Sequence, residues 1–268
     1  MNKEDLVSVI MPTYNAGKYL ADSMNSILNQ TYKNLELLIT DDASTDPTTL
    51  QLLKEYASKD ERVNILYLKE NHGAGYARNK SIERAKGRYI AFCDSDDRWT
   101  TDKLEKQIAF MNKKKCALSC ASYIIFDGET QNEIGFCTAP KKITYGMMKR
   151  DNKVGCLTAI YDVQMLGRKF FMPTIRKRQD WALFLQIIRE CKVCYAYPDK
   201  PLAYYCMRRN SISSNKMSLM KYNIAVYKEI LGFHPIKAKL YFFTFFLPTY
   251  GAKILKRKFD SYTFTHKK

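Results

Sequence analysis

Histidine, tryptophan and glycine are scarce in this chain of 268 residues, which has three His, two Trp and 11 Gly. The histidines, His72, His234 and His266, stand beside no nucleophile motif, which excludes a hydrolase built on a catalytic His. No Gly-x-Gly-x-x-Gly opens the first helix. The turn there reads Pro12-Thr13-Tyr14-Asn15, and the later Gly73-Ala74-Gly75 has no third glycine, so a dinucleotide-dependent oxidoreductase is excluded. A nucleotidyltransferase would want a glycine-rich, basic first turn, which is also missing. No apolar run reaches the roughly 20 residues that a membrane span needs. Charged residues 3–5 precede only five apolar residues before Pro12, so no secretory leader is expected. Cys191-x-x-Cys194 lacks a second Cys or His pair at zinc spacing. Repeats and low-complexity runs are absent as well. The eight cysteines, several inside apolar strand-like runs, are expected as reduced thiols of a cytoplasmic protein.

A regular alternation of strands and helices is present instead. Residues 6–15 read as a strand opening into the Pro-Thr-Tyr-Asn turn, followed by a helix from Lys18 to Asn29. A second strand, Leu35 to Thr40, ends in Asp41-Asp42 and leads to a helix from Thr48 to Lys59. A third, Val63 to Leu68, runs through Asn71 to Gly75 into a helix from Tyr76 to Ala85 that carries Arg78 and Asn79. Strands alternating with helices imply an α/β fold with a mostly parallel sheet covered on both faces. Ligands of such sheets bind at the carboxyl ends of the strands. That edge collects Thr13, Tyr14, Asp42, Arg78 and the acids that end the next strand.

Those acids are the most informative feature. Arg88-Tyr89-Ile90-Ala91-Phe92-Cys93 reads as a buried strand, and Asp94-Ser95-Asp96-Asp97 follows at its carboxyl end. Clustered hard oxygen ligands suit Mg²⁺ or Mn²⁺, ions that commonly neutralise substrate phosphates. The plainer reading is a polar turn in which Asp97 or Asp102 caps a helix starting near Lys103. Likewise Tyr14 has a plain reading as a core aromatic, Asp42 as a turn former, Arg78 as a solvated helix residue and Asn15 as a helix cap.

Four blocks together resemble the family 2 glycosyltransferases of the GT-A fold, which transfer a sugar from a nucleotide sugar with inversion. They are residues 7–15, the turn at 41–46, Asn71 through Asn79, and residues 87–97, in the family's order and approximate spacing. The resemblance covers residues 5 to 125. A fifth element, Arg178-Gln179-Asp180-Trp181, resembles the later motif whose Asp is the catalytic base, and the likeness fades after Asn215. It implies that Pro12, Thr13, Tyr14 and Asn15 line the donor site, with Thr13 and Tyr14 flanking the uracil of a UDP-sugar. Asp42 would then bond the base, Arg78 would sit by base and ribose, and Asp94 and Ser95 would reach ribose and phosphate. Asp96, with Asp94 beside it, would hold the Mn²⁺ or Mg²⁺ that bridges the diphosphate. Asp180 would take the acceptor hydroxyl's proton. It precedes Trp181, Phe184, Leu185 and Ile188, a helical apolar face, so it belongs to a helix start, where a simple N-cap is the plainer role. Gln179 stands where many relatives carry an acid, leaving Asp180 as the single base. A non-catalytic nucleotide-sugar-binding or scaffold protein keeping the fold is the alternative, although both the metal acids and Asp180 are retained. A processive polysaccharide synthase is disfavoured, because spanning helices and a Gln-x-x-Arg-Trp motif are missing.

The expected organisation is a GT-A domain over 1–215, with a nucleotide-binding half at 1–100 and an acceptor-binding half at 101–215. A helical basic and aromatic extension follows at 216–268. Residues 1–100 carry 13 Lys and Arg against 15 Asp and Glu, and the remainder carries 31 against 12, so the formal net charge of +17 belongs to the second half. Without any nucleic-acid motif, that excess points to an anionic membrane surface or a lipid-linked glycan acceptor rather than nucleic acid. Residues 240–255 are rich in aromatics and flanked by Lys237, Lys239, Lys256, Arg257 and Lys258. Interrupted by Pro248, Gly251 and Lys253, they are expected as a helix pair lying in the membrane interface, with a buried terminal helix as the other reading. The protein is therefore expected at the inner face of the cell membrane, working in cell-surface polysaccharide biosynthesis. The polar stretch 208–216 resembles the family's mobile post-catalytic loop, where a basic side chain could reach the diphosphate.

Overall fold

The computed structural model describes residues 5–208 and 220–266. The expected boundary at 215/216, the stretch after Arg208 and charged residues 3 and 4 lie outside the described residues. Strands β1 (Val7–Thr13), β2 (Leu35–Asp41), β3 (Val63–Tyr67) and β4 (Tyr89–Phe92) alternate with helices α1 (Tyr19–Leu28), α2 (Pro47–Lys59) and α3 (Ala74–Arg84). There follow β5 (Arg98–Trp99), α4 (Lys103–Lys114), β6 (Leu118–Ala121), β7 (Tyr123–Asp127), β8 (Glu133–Cys137), β9 (Lys142–Thr144), α5 (Tyr145–Arg150), β10 (Ile160–Asp162) and α6 (Val163–Leu166). The chain continues through α7 (Gln179–Cys191), β11 (Val193–Tyr197), β12 (Ala203–Met207), α8 (Met220–Ala225), α9 (Pro235–Tyr241) and α10 (Leu247–His266).

Eight strands form the main sheet in the order β3-β2-β1-β4-β10-β6-β11-β9. The first four are parallel, and β10 inserts antiparallel between β4 and β6. A smaller sheet, β5-β12-β7-β8, stands beside it. The period of two in β1 divides the core. Val7, Val9 and Met11 pack with Leu20, Met24 and Ile27 of α1 and Leu104 of α4, whereas Ile10 packs on the other face with Ile82 of α3 and the apolar side of α7. A strand buried on both faces needs no polar alternation, which explains its nearly unbroken apolar run.

The C-terminal segment departs from the expected helix pair. Pro235 to His266 is one helical run, in which a π-helical stretch, Phe242–Phe246, joins α9 to α10. Pro248 lacks an N–H and its ring crowds the preceding turn, so a widened turn just before it lets the helix continue. The run has two faces. Ala238, Phe242 and Phe246 are buried in the core against Trp181, whose ring lies 5.5 Å from Phe246. Ile236, Leu240, Phe243, Leu247, Leu255, Phe259 and Tyr262, at helical spacing, stay exposed. One continuous helical run thus replaces the expected helix pair, with one face in the core and the other exposed. Farther along, α10 covers β8: Phe136 N–H donates to Ser261 Oγ at 3.1 Å, Thr138 Oγ1 donates to Asp260 at 2.8 Å, and Phe136 stacks on Phe264. Covering β8 removes an exposed strand edge. No helix among the described residues is long and apolar enough to cross a membrane.

Candidate active site

The carboxyl ends of β1, β2 and β4 lie side by side, because Thr13 pairs with Asp41 and Ile10 with Phe92 in register. Thr13 is buried with its Oγ1 unpartnered among the described residues, while Tyr14, next in the chain, is half exposed at 52%. An orphaned hydroxyl beside an open aromatic face suits a planar, hydrogen-bonding ligand. Pro12 sits in the buried end of β1. Asn15 is not a helix cap; its side-chain oxygen accepts from Thr45 N–H at 2.9 Å and Asp46 N–H at 3.0 Å, tying the first turn to the second. Asp42 is buried, and its carboxylate accepts from His72 N–H at 2.8 Å and Gly73 N–H at 2.7 Å. It therefore anchors the start of α3, with its remaining lone pairs available to a ligand.

Arg78, on α3, ion-pairs with Asp94 at 2.5 Å, and its Nε is buried without a partner among the described residues. Burial works to lower its pKa, but the Asp94 carboxylate and other acids nearby, Asp180 among them, outweigh it and push the value up. Asp94 to Asp97 form a turn closed by Asp97 N–H donating to the Asp94 carbonyl at 3.1 Å. Ser95 lies at its tip. Asp97 is buried and accepts from Cys206 N–H at 2.8 Å, pinning β12 to the site rather than capping a helix. Asp102 does not cap α4 either, since its carboxylate is taken by Thr100, Lys106 and Lys200. Asp96 pairs with Arg208 at 2.6 Å. Burial and the neighbouring Asp94 raise its pKa, and Arg208 opposes them.

Asp180 lies in the first turn of α7, whose N-cap is Arg178 in a left-handed conformation with φ 69°, so Asp180 is not the cap. Its Oδ2 accepts from Asn152 Nδ2 at 2.8 Å. The starts of α3 and α7 meet closely: a Cβ on Gly75 would stand 2.3 Å from the Gln179 side-chain amide. Gly75 thus permits helix contact rather than cradling a phosphate. The thiol of Cys156 lies in the same electrostatic neighbourhood, its pKa raised by burial and influenced by Arg78, Asp94, Asp180 and Asp97. Arg78 of α3 is thus paired with Asp94 in the turn after β4, and Asp180 at the start of α7 lies within electrostatic reach of Arg78.

Among the described residues no group of three or more His, Cys, Asp and Glu is poised for a metal. That does not count against Mg²⁺ or Mn²⁺, since Mg²⁺ is usually bound through one or two carboxylates plus phosphates and water. Asp94 and Asp96 supply such a pair, and Asp96 already draws a cation, the Arg208 guanidinium. The residues fit the ion. Sequence reasoning gave no place near this site to Asn152, Cys156 or Lys253, because no motif links them to Asp180.

Residues 8–171 match the model of glycosyl transferase family 2, and the chain belongs to that family. It is a glycosyltransferase with the GT-A fold. It is 43% identical over 237 residues to TuaG of Bacillus subtilis (strain 168), a glycosyltransferase whose name assigns it provisionally to teichuronic acid biosynthesis; the match spans 88% of this chain and 93% of that one. It is 38% identical over 216 residues to WfgD of Escherichia coli, named as a UDP-Glc:α-D-GlcNAc-diphosphoundecaprenol β-1,3-glucosyltransferase, across 81% and 83% of the two chains. Staphylococcus aureus TarS in complex with UDP-GlcNAc shares the fold at TM-score 0.68 and 22% identity, covering 88% of this chain and 70% of that one. A mannosyltransferase from Pyrobaculum calidifontis in complex with GDP-Man and Mn²⁺ does so at TM-score 0.66 and 17% identity, over 95% and 75%.

Proposed function

We propose that the chain moves a single sugar from a UDP-sugar to a glycan acceptor carried on a lipid diphosphate, with inversion, at the inner face of the cell membrane during cell-surface polysaccharide biosynthesis. The observation that carries this reading is the Arg78–Asp94 ion pair at the sheet's ligand edge, with Asp180 at the start of α7 within electrostatic reach of Arg78. The names of WfgD and TarS support a UDP-linked donor, and that of WfgD a lipid diphosphate acceptor. Thr13 and Tyr14 flank the uracil, and Pro12 and Asn15 help to line the donor site. Asp42 bonds the base, Arg78 stands by base and ribose, and Asp94 with Ser95 reaches ribose and phosphate. Asp96 and Asp94 would hold Mn²⁺ or Mg²⁺, which supplies positive charge to the departing diphosphate. Asp180 removes the acceptor hydroxyl's proton as that oxygen bonds to the anomeric carbon and the bond to UDP breaks, so one displacement inverts the centre. The exposed stripe of the C-terminal run, with Lys237, Lys239, Lys256, Arg257 and Lys258 close by in sequence, meets anionic lipid while its other face stays in the core.

Asp180→Asn tests the base. Donor binding should persist while turnover falls by about 10²- to 10⁴-fold, the usual worth of a general base. Loss of donor binding in step with rate would make Asp180 a structural residue instead.

A further inference from the structure

The carboxylate of Asp180 has one direct neighbour that no family motif contains. Asn152 Nδ2 donates to Asp180 Oδ2 at 2.8 Å. The orientation of that amide is fixed, because Asn152 Oδ1 accepts from Val154 N–H at 3.2 Å, which leaves only the nitrogen to face Asp180. Asn152 is held in turn from the C-terminal helix: Lys253 Nζ donates to its backbone carbonyl at 2.6 Å. The same ammonium pairs with the buried carboxylate of Asp151 at 3.1 Å, which Lys153 also contacts at 3.1 Å. The preceding helix α5 is pinned as well, by Trp181 Nε1 to Met148 O at 2.7 Å and Tyr227 Oη to Lys149 O at 2.9 Å. Two hydrogen bonds therefore join α10 to the catalytic carboxylate, and Lys253, a cation within an aromatic segment, is turned inward to make the first of them.

We propose that Asn152 is the positioning residue for Asp180 and that Lys253 holds it in place, so that the orientation of the base depends on the seating of the C-terminal helix. With Oδ2 engaged by the amide, Oδ1 is the oxygen presented to the acceptor hydroxyl. This inference rests on Asp180 being the base. A misplacement of about 1 Å at a reacting group costs on the order of 10²-fold in rate. Asn152→Ala is accordingly expected to lower kcat by roughly 10- to 100-fold while leaving the donor KM and the UDP dissociation constant unchanged. Lys253→Met should shift kcat in the same direction by less.

The experiment is a cycle on the full chain: wild type, Asn152→Ala, Asp180→Asn and the double variant, with Lys253→Met alone and over Asp180→Asn. Initial rates are measured at saturating donor and UDP affinity by calorimetry. The proposal expects both kcat losses to vanish in the Asp180→Asn background, since there is no base left to orient. If Asn152→Ala keeps kcat within twofold of wild type while Asp180→Asn is impaired, or if its loss persists in full in the double variant, the positioning role is overturned. If Asp180→Asn itself turns over normally, the base assignment fails, a result distinguishable from the other two. Should Asn152→Ala fail to fold, Lys253→Met carries the test, and an unchanged kcat in that variant overturns the tether.

Discussion

Asn15, Asp42, Arg78, Asp94, Asp96 and Asp97 at the sheet edge are each held by a local bond that also bears on what they can do next. Asp96 is the clearest case: largely buried beside Asp94, its carboxylate is costly without a cation, which Arg208 supplies at 2.6 Å and a bound metal ion would supply in its place. Asp96→Ala should therefore abolish the Mn²⁺-dependent part of UDP binding without altering the far-ultraviolet spectrum. Titration calorimetry with and without the ion reads this, and equal UDP affinity in Mn²⁺ would remove Asp96 from the metal site. Lys103 shows the opposite situation in the core. Fully buried, its ammonium has no hydrogen-bond partner among the described residues and lies 4.1 Å over the Trp99 ring. Burial lowers its pKa from 10.5 to about 7. The unfolded chain thus binds the extra proton between those values, so this group makes stability rise with pH across that window and costs most below it. Lys103→Met should raise the melting temperature at pH 7 by a few degrees, on the basis of ~1 kcal/mol or more gained from removing a buried charge. The gain should shrink by pH 9; an equal gain at both values would mean that packing, not charge, is responsible.

At the level of elements, the first half of the chain was readable because each strand is a short apolar run bounded by turn residues, and periodicity distinguishes such runs from helices. Expected helix ends such as Lys59 fall where the structure places them, and others differ by one or two residues. What could not be read were the contacts that link elements far apart in sequence. Nothing local marks Gly75 as the point where α3 meets α7, and nothing marks Asn152 as a partner of Asp180, because both depend on a neighbour supplied by tertiary packing. The C-terminal run was misread for a related reason. Pro248 signals a break by itself, but a π turn ahead of it absorbs the irregularity, and the aromatic residues then divide between a buried and an exposed face. Deleting the run would strip Phe242 and Phe246 from Trp181, so its membrane role is better tested on the outer stripe. Replacing Ile236, Leu240 and Phe243 with Ser should leave the melting temperature nearly unchanged and abolish flotation with anionic vesicles at moderate salt. Equal flotation of the variant and the parent would assign the stripe no part in membrane binding.

Across the whole molecule, the charge asymmetry and the fold tell one story. Residues 1–100 have a small acidic excess, and the basic excess lies in the remainder, which carries Asp180 and the C-terminal run. Under the proposed function, a nucleotide sugar would enter at the strand ends of the first half, and an anionic, lipid-borne acceptor would be drawn to the basic side. The identity of the sugar was not legible, because hexose selection depends on the shape of a pocket built from several loops rather than on any motif. The chemistry is less dependent on such detail. A single displacement assisted by one carboxylate fixes the stereochemical outcome whatever the sugar, so the anomeric configuration of the product is the most direct test. Proton NMR of the product from a UDP-α-sugar and a glycan acceptor should show a new β-linkage formed with release of one UDP. An α-linked product would contradict the one-step mechanism and the role of Asp180 within it.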